Sequence, residues 1–242
     1  MCVPVRFHCL LFSIGMVSAM PGIAGIFLDS TRIILNAENN KSGANVQVNS
    51  ARTSDTPYLI KVQITQDING LDTEVPFIIT PNLFRLDPGN SNQIRILPKQ
   101  YTFPEDRESI FYFRAIALPA QNNKEAEDIS LLGGSLQLAS GNVIKLFYRP
   151  AGLVFPKDKA TEKLTFSATL NGVKVTNPTP YFITLTSLKI NGQSVNIRTK
   201  PGSNMIPPLS DAVFTSASRQ GKVQWQIIND YGGMENFNGS TQ

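Results

Sequence analysis

Side chains able to do chemistry are scarce in this sequence, and the scarcity is informative. Carboxylates gather at Glu105, Asp106 and Glu108 and again at Glu125, Glu127 and Asp128. Two acids on either side of a glycosidic bond can act as general acid and base. Acids at neighbouring loop positions are ordinarily solvated, however, and no His, Cys or glycine-rich phosphate loop stands by to support them. The only histidine, His8, and the only cysteines, Cys2 and Cys9, lie within the first ten residues.

Those ten residues open a segment with its own character. Arg6 precedes an apolar run from Cys9 to Ala19, and the small residues Gly22 and Ala24 flank Ile23. This is the pattern of a secretory signal peptide, residues 1–24, with cleavage expected after Ala24. A membrane anchor is the alternative, but the run is shorter than the ~20 apolar residues that span a bilayer, and no later segment is longer. Cleavage leaves 218 residues without Cys or His. Disulfides, Cys- or His-based metal sites, and nucleophilic mechanisms needing a Cys nucleophile or a His base are thereby excluded. No metal, cofactor or catalytic residue is expected. The exported chain has 21 Lys and Arg against 18 Asp and Glu, a net charge of +3 in place of +4. These charges are dispersed, which fits a solvated surface rather than a nucleic-acid face. No stable membrane insertion is expected either.

What must position any site is a succession of strands. Alternating or β-branched runs occur at Ile26–Leu35, Ala44–Ser50, Tyr58–Thr65, Pro76–Ile79, Gln93–Leu97, Ser109–Ala117, Leu136–Tyr148, Leu164–Leu170, Tyr181–Ile190 and Val223–Ile228. Clusters of Gly, Pro, Asn and Asp separate them, so the fold class is all-β. Asn69-Gly70, Asn171-Gly172 and Asn191-Gly192 each read as a tight hairpin turn, since Asn-Gly tolerates positive φ. Arg149-Pro150-Ala151-Gly152 interrupts the pattern near mid-chain. A domain boundary there gives residues 25–150 and 151–242, each near the ~100 residues of an immunoglobulin-like sandwich. Asn238-Gly239-Ser240 fits a glycosylation sequon but reads as a flexible tail.

The run ending at Tyr148 has a long approach. Counting back from Ile144 by twos gives Asn142, Ser140, Leu138, Leu136, Gly134 and Leu132. One face therefore carries leucines upstream and turns polar toward the charged end. Such a strand can complete another protein's sheet, because an edge bearing large apolar side chains needs a partner. On the residues alone, burial of these leucines in the chain's own core is the favoured reading.

Several segments carry a resemblance: Leu28-Asp29-Ser30-Thr31-Arg32, Phe77-Ile78-Ile79-Thr80-Pro81 and Asp106-Arg107-Glu108-Ser109-Ile110-Phe111-Tyr112-Phe113. They are followed by Ile144-Lys145-Leu146-Phe147-Tyr148-Arg149-Pro150, Asn177-Pro178-Thr179-Pro180-Tyr181 and Ile228-Asn229-Asp230-Tyr231-Gly232-Gly233. Together, and in this order, the chain resembles the periplasmic pilus chaperones of the chaperone-usher pathway, the PapD-like family. The resemblance implies two immunoglobulin-like β-sandwiches in an L-shaped arrangement with a cleft between them, and no enzymatic activity. It implies a periplasmic chaperone that holds fimbrial subunits by lending them a strand and delivers them to an outer-membrane usher. Arg32 and Lys145 match the pair that anchors the subunit's C-terminal carboxylate. Leu132, Leu136, Leu138, Ser140 and Ile144 match the donor strand, and Glu108, Arg149 and Asp230 match a charged trio that sets the interdomain angle. Three unrelated surface charges is the alternative reading of that trio. Self-association of the free chaperone through its edge is left open. The alternative identity is an exported structural fimbrial subunit or adhesin, also all-β. A glycan-binding sandwich or hydrolase is a third reading.

Overall fold

The computed structural model describes residues 25–39, 41–54, 56–119 and 140–242, and they form two β-sandwiches. The first is built from β1 (Ile26–Leu28), β2 (Arg32–Asn36), β3 (Ala44–Ser50), β4 (Tyr58–Thr65), β5 (Phe77–Thr80), β6 (Leu83–Leu86), β7 (Ser91–Pro98), β8 (Ser109–Pro119) and β9 (Ser140–Arg149). One sheet has the order β1-β3-β7-β5 and the other β2-β9-β8-β4-β6. Every neighbouring pair is antiparallel except β2 and β9, which run parallel. Because successive strand residues face opposite ways, Val46, Val48, Ile94 and Ile96 of the first sheet meet Ile60, Ile64, Phe113, Ala115 and Leu146 of the second in a closed core.

The run read as one strand, Ile26–Leu35, is two. Asp29 ends β1: its backbone N–H donates to Gln47 O, and its Oδ1 accepts the Gln47 N–H. The chain then crosses to the opposite sheet, and the inward-facing residues change from Ile26 and Leu28 to Ile33 and Leu35. Even and odd positions exchange roles across the crossing, so no single alternation describes it.

The second sandwich begins with the short helix α1 (Lys157–Ala160) and continues through β10 (Thr165–Thr169), β11 (Gly172–Asn177), β12 (Ile183–Ile190), β13 (Gln193–Ser194), β14 (Met205–Ile206), β15 (Ser210–Thr215), β16 (Lys222–Ile228) and β17 (Met234–Ser240). Its sheets are β10-β11-β15 and β13-β12-β16-β17, with β14 also on β12. Val173, Val175 and Phe214 pack against Leu185, Leu188, Ile190, Val223, Trp225 and Ile227. An irregularity between Leu185 and Ser187 shifts the register of β12, which is how both Leu185 and Leu188 face inward.

Four readings of turns and tail meet different fates. Asn191 and Gly192 have φ of 48° and 81° and join β12 to β13 as a two-residue hairpin, as expected. Thr169 pairs with Gly172, so the second hairpin turns on Leu170-Asn171, with Gly172 already in the strand. Asn69-Gly70 belongs to a loop gathered by Asp67, whose carboxylate accepts the N–H groups of Asn69, Gly70, Leu71 and Asp72. Asn238-Gly239-Ser240 is the end of β17, paired with β16; the expected tail is a strand.

Candidate functional site

The parallel register of β2 and β9 sets Arg32 directly opposite Lys145. Two cations side by side repel, and each is drawn to the second sandwich. Arg32 Nη1 donates to Ile228 O at 3.1 Å, at the end of β16. Lys145 Nζ donates to Thr184 Oγ1 at 3.2 Å, on β12. Among the described residues neither cation forms an ion pair with a carboxylate, and Arg32 Nε is buried without a hydrogen-bond partner. Burial, and then the neighbouring Arg32, pull the Lys145 amine down to about 8. Burial also lowers Arg32, which Asp230 and Glu108 partly offset. A half-buried pair of cations with unspent donors is suited to an anion.

Only the second half of β9 is covered by β2. β8 pairs with Ser140–Tyr148, whereas β2 pairs with Lys145–Arg149 alone. On the β2 side, Ser140–Ile144 thus has no strand partner among the described residues. Ser140 is exposed, and Ile144 packs against the core of its own sandwich. Leu132, Leu136 and Leu138 lie outside the described residues, as do Glu125, Glu127 and Asp128. The other carboxylate cluster disperses: Asp106 pairs with Arg107, while Glu108 turns inward. No group of three or more His, Cys, Asp or Glu among the described residues could hold a metal ion.

Glu108, Arg149 and Asp230 come together. Arg149 Nη2 lies 2.7 Å from Glu108 Oε1 and 2.7 Å from Asp230 Oδ2. Glu108 is 3% exposed, and its Oε2 accepts the Phe182 N–H at 2.9 Å. Carboxylates from both sandwiches therefore share one guanidinium that ends β9, the strand bearing Lys145. Thr184, the Ile228 carbonyl, Lys157 and Tyr181 were not singled out from the sequence. Tyr181 and Ile228 lie within motifs that carry the resemblance, Asn177–Tyr181 and Ile228–Gly233, but nothing there marks their contacts; Thr184 and Lys157 left no signal.

Residues 25–154 match the family described as "Pili and flagellar-assembly chaperone, PapD N-terminal domain", and residues 159–238 match "Pili assembly chaperone PapD, C-terminal domain". The chain belongs to the pilus-assembly chaperones. Members of this family assist assembly and are not enzymes. The probable fimbrial chaperone ElfD of Escherichia coli O157:H7 is 36% identical over 213 residues, covering 87% of this chain and 84% of ElfD. The chaperone FimC of Escherichia coli strain K12 is 34% identical over 233 residues, covering 93% and 90%. The crystal structure of the E. coli chaperone DraB superposes with a TM-score of 0.74 at 30% identity, over 90% of this chain and 97% of DraB. A chain in the complex of Salmonella enterica SafA pilin with the SafB chaperone gives a TM-score of 0.74 at 27% identity, over 90% and 97%.

Proposed function

We propose that this chaperone is exported to the periplasm by a signal peptide cleaved after Ala24, captures fimbrial subunits there, and delivers them to an outer-membrane usher. The observation that carries the reading is the register that puts Arg32 and Lys145 side by side, neither in an ion pair among the described residues, at the foot of the stretch Ser140–Ile144, which has no strand partner on that side among those residues. A subunit's terminal carboxylate held by two charge-assisted hydrogen bonds, each worth roughly 1.5–3 kcal/mol, fixes where its chain begins to pair. From that point an extended strand adds to β9 by main-chain bonds, and Leu132, Leu136 and Leu138 fill the subunit's open core. Glu108, Arg149 and Asp230 hold residues 25–150 and 151–242 at the angle that keeps Thr184 and Ile228 over the cations. Self-association through the same edge would cover it when no subunit is bound.

Lys145→Ala is expected to abolish recovery of chaperone–subunit complexes from periplasmic extracts of cells that also produce a fimbrial subunit, while the variant stays soluble. Complexes at normal yield would end the carboxylate-anchor reading.

A further inference from the structure

The motif Asn177-Pro178-Thr179-Pro180-Tyr181 does more than precede β12. Its Asn177 is fully buried and donates to Tyr181 O at 2.7 Å and Pro207 O at 2.9 Å, while its Oδ1 accepts from the Thr179 N–H and hydroxyl. The turn is thus fixed within the second sandwich. Toward the first sandwich it presents three consecutive residues. Pro180 O accepts the Glu108 N–H at 2.9 Å, and the Phe182 N–H donates to Glu108 Oε2. The Phe182 ring lies 5.7 Å from that of Phe147 on β9.

Between them, the buried Tyr181 ring has a cation from each side of the linker against it. The Arg149 guanidinium carbon is 5.1 Å from its centroid and Lys157 Nζ is 4.7 Å away. Its hydroxyl donates to Phe155 O within the linker, and Lys157 donates to Phe182 O at 3.2 Å. Arg149 and Lys157 are the last residue of β9 and the first of α1, so one aromatic ring holds both ends of the connection at once.

We propose that Tyr181 is a positioning residue. By gripping Arg149 and Lys157 together it sets the angle between the sandwiches, and through that angle it keeps Thr184 and Ile228 over Lys145 and Arg32. The last step rests on the carboxylate-anchor reading; the grip on the linker does not. A ring flanked by two cations needs no acid, so this device adds to the Glu108–Arg149–Asp230 network a contact of a different kind.

Residual dipolar couplings measured by NMR on the full exported chain report the interdomain orientation. Binding is read with a synthetic peptide of alternating apolar residues bearing a free terminal carboxylate, and with the same peptide amidated. Tyr181→Leu is expected to change the relative alignment of the two domains and to weaken the free-acid peptide about tenfold, while Tyr181→Phe, which keeps the ring, restores both. Unchanged alignment in Tyr181→Leu would overturn the proposal. If that variant does not fold, Lys157→Met decides: an alignment that departs from the wild type supports the grip, and wild-type couplings overturn it. Equal binding of acid and amide peptides by the wild type would instead remove the anchor reading, leaving Tyr181 to be judged on alignment alone.

Discussion

Lys145 sits where a lysine is costly, half-buried beside Arg32 and with a neutral hydroxyl as its partner. Burial is the larger cause of its depressed value of about 8, and Arg32 the second. Both causes favour the neutral amine, and a carboxylate arriving between the two cations favours the charged one. The bound complex therefore holds more protons than the free chaperone wherever the free amine is deprotonated. By linkage, affinity is greatest below pH 8 and falls as pH rises past it, by at most about tenfold per unit. Arg32 keeps its charge throughout this range, so binding weakens without vanishing. Calorimetric titration of a free-carboxylate peptide between pH 6 and pH 9.5 should show a flat region followed by this decline. An affinity that is level across pH 8 would mean the carboxylate does not meet Lys145.

At the scale of the strands, the consequences of register and close approach decide what a sequence can reveal. Gly172 has ordinary φ, yet a Cβ there would lie 1.9 Å from Phe214 O on β15. Gly172→Ala must push β15 away from β11, an overpacking cost of about 1–3 kcal/mol with the backbone as the obstacle. Urea denaturation followed at Trp225 should report that loss in the second sandwich; an unchanged midpoint would show that β15 is free to move. Strands with buried alternating faces, such as β3, β4, β7 and β8, were legible because apolar side chains at every second position have one physical explanation. β17 was not. Its sequence, Met-Glu-Asn-Phe-Asn-Gly-Ser, buries little, and it is held instead by amide pairs, Gln224 with Asn238 and Gln226 with Asn236, and by the stacking of Phe237 on Trp225. Cross-strand polar pairs leave no period in one strand alone. The facing of Arg32 and Lys145 is equally silent in composition, because a parallel pairing between residues more than a hundred positions apart follows from topology. It was readable only through the motifs that surround both residues.

The two sandwiches have separate apolar cores with no residue in common, so what couples them is the seam between, polar apart from the contact of the Phe147 and Phe182 rings. Its centre is Glu108, whose two oxygens are committed, one to Arg149 and one to the Phe182 N–H. With 1% of its side chain exposed, this carboxylate has little water to fall back on. An exposed ion network would contribute little, but removing one partner of a buried pair costs about 3–5 kcal/mol, because the remaining charge stays uncompensated. Arg149→Ala is expected to incur that cost and also to release Asp230, which contacts the same nitrogen. Asp230, 20% exposed, can be hydrated in place, so Asp230→Asn should cost only about 1 kcal/mol. The difference separates stability from coupling. In the wild type a seam of this strength is expected to make the halves unfold together. In Arg149→Ala it no longer does, and each half should melt at the midpoint set by its own core. Denaturation followed at Trp225, which sits in the second core, and at tyrosine signals from the first should then give two separated transitions in place of one. Coincident transitions in Arg149→Ala would show that the halves are coupled through the Asn177–Phe182 turn strongly enough to dispense with the guanidinium.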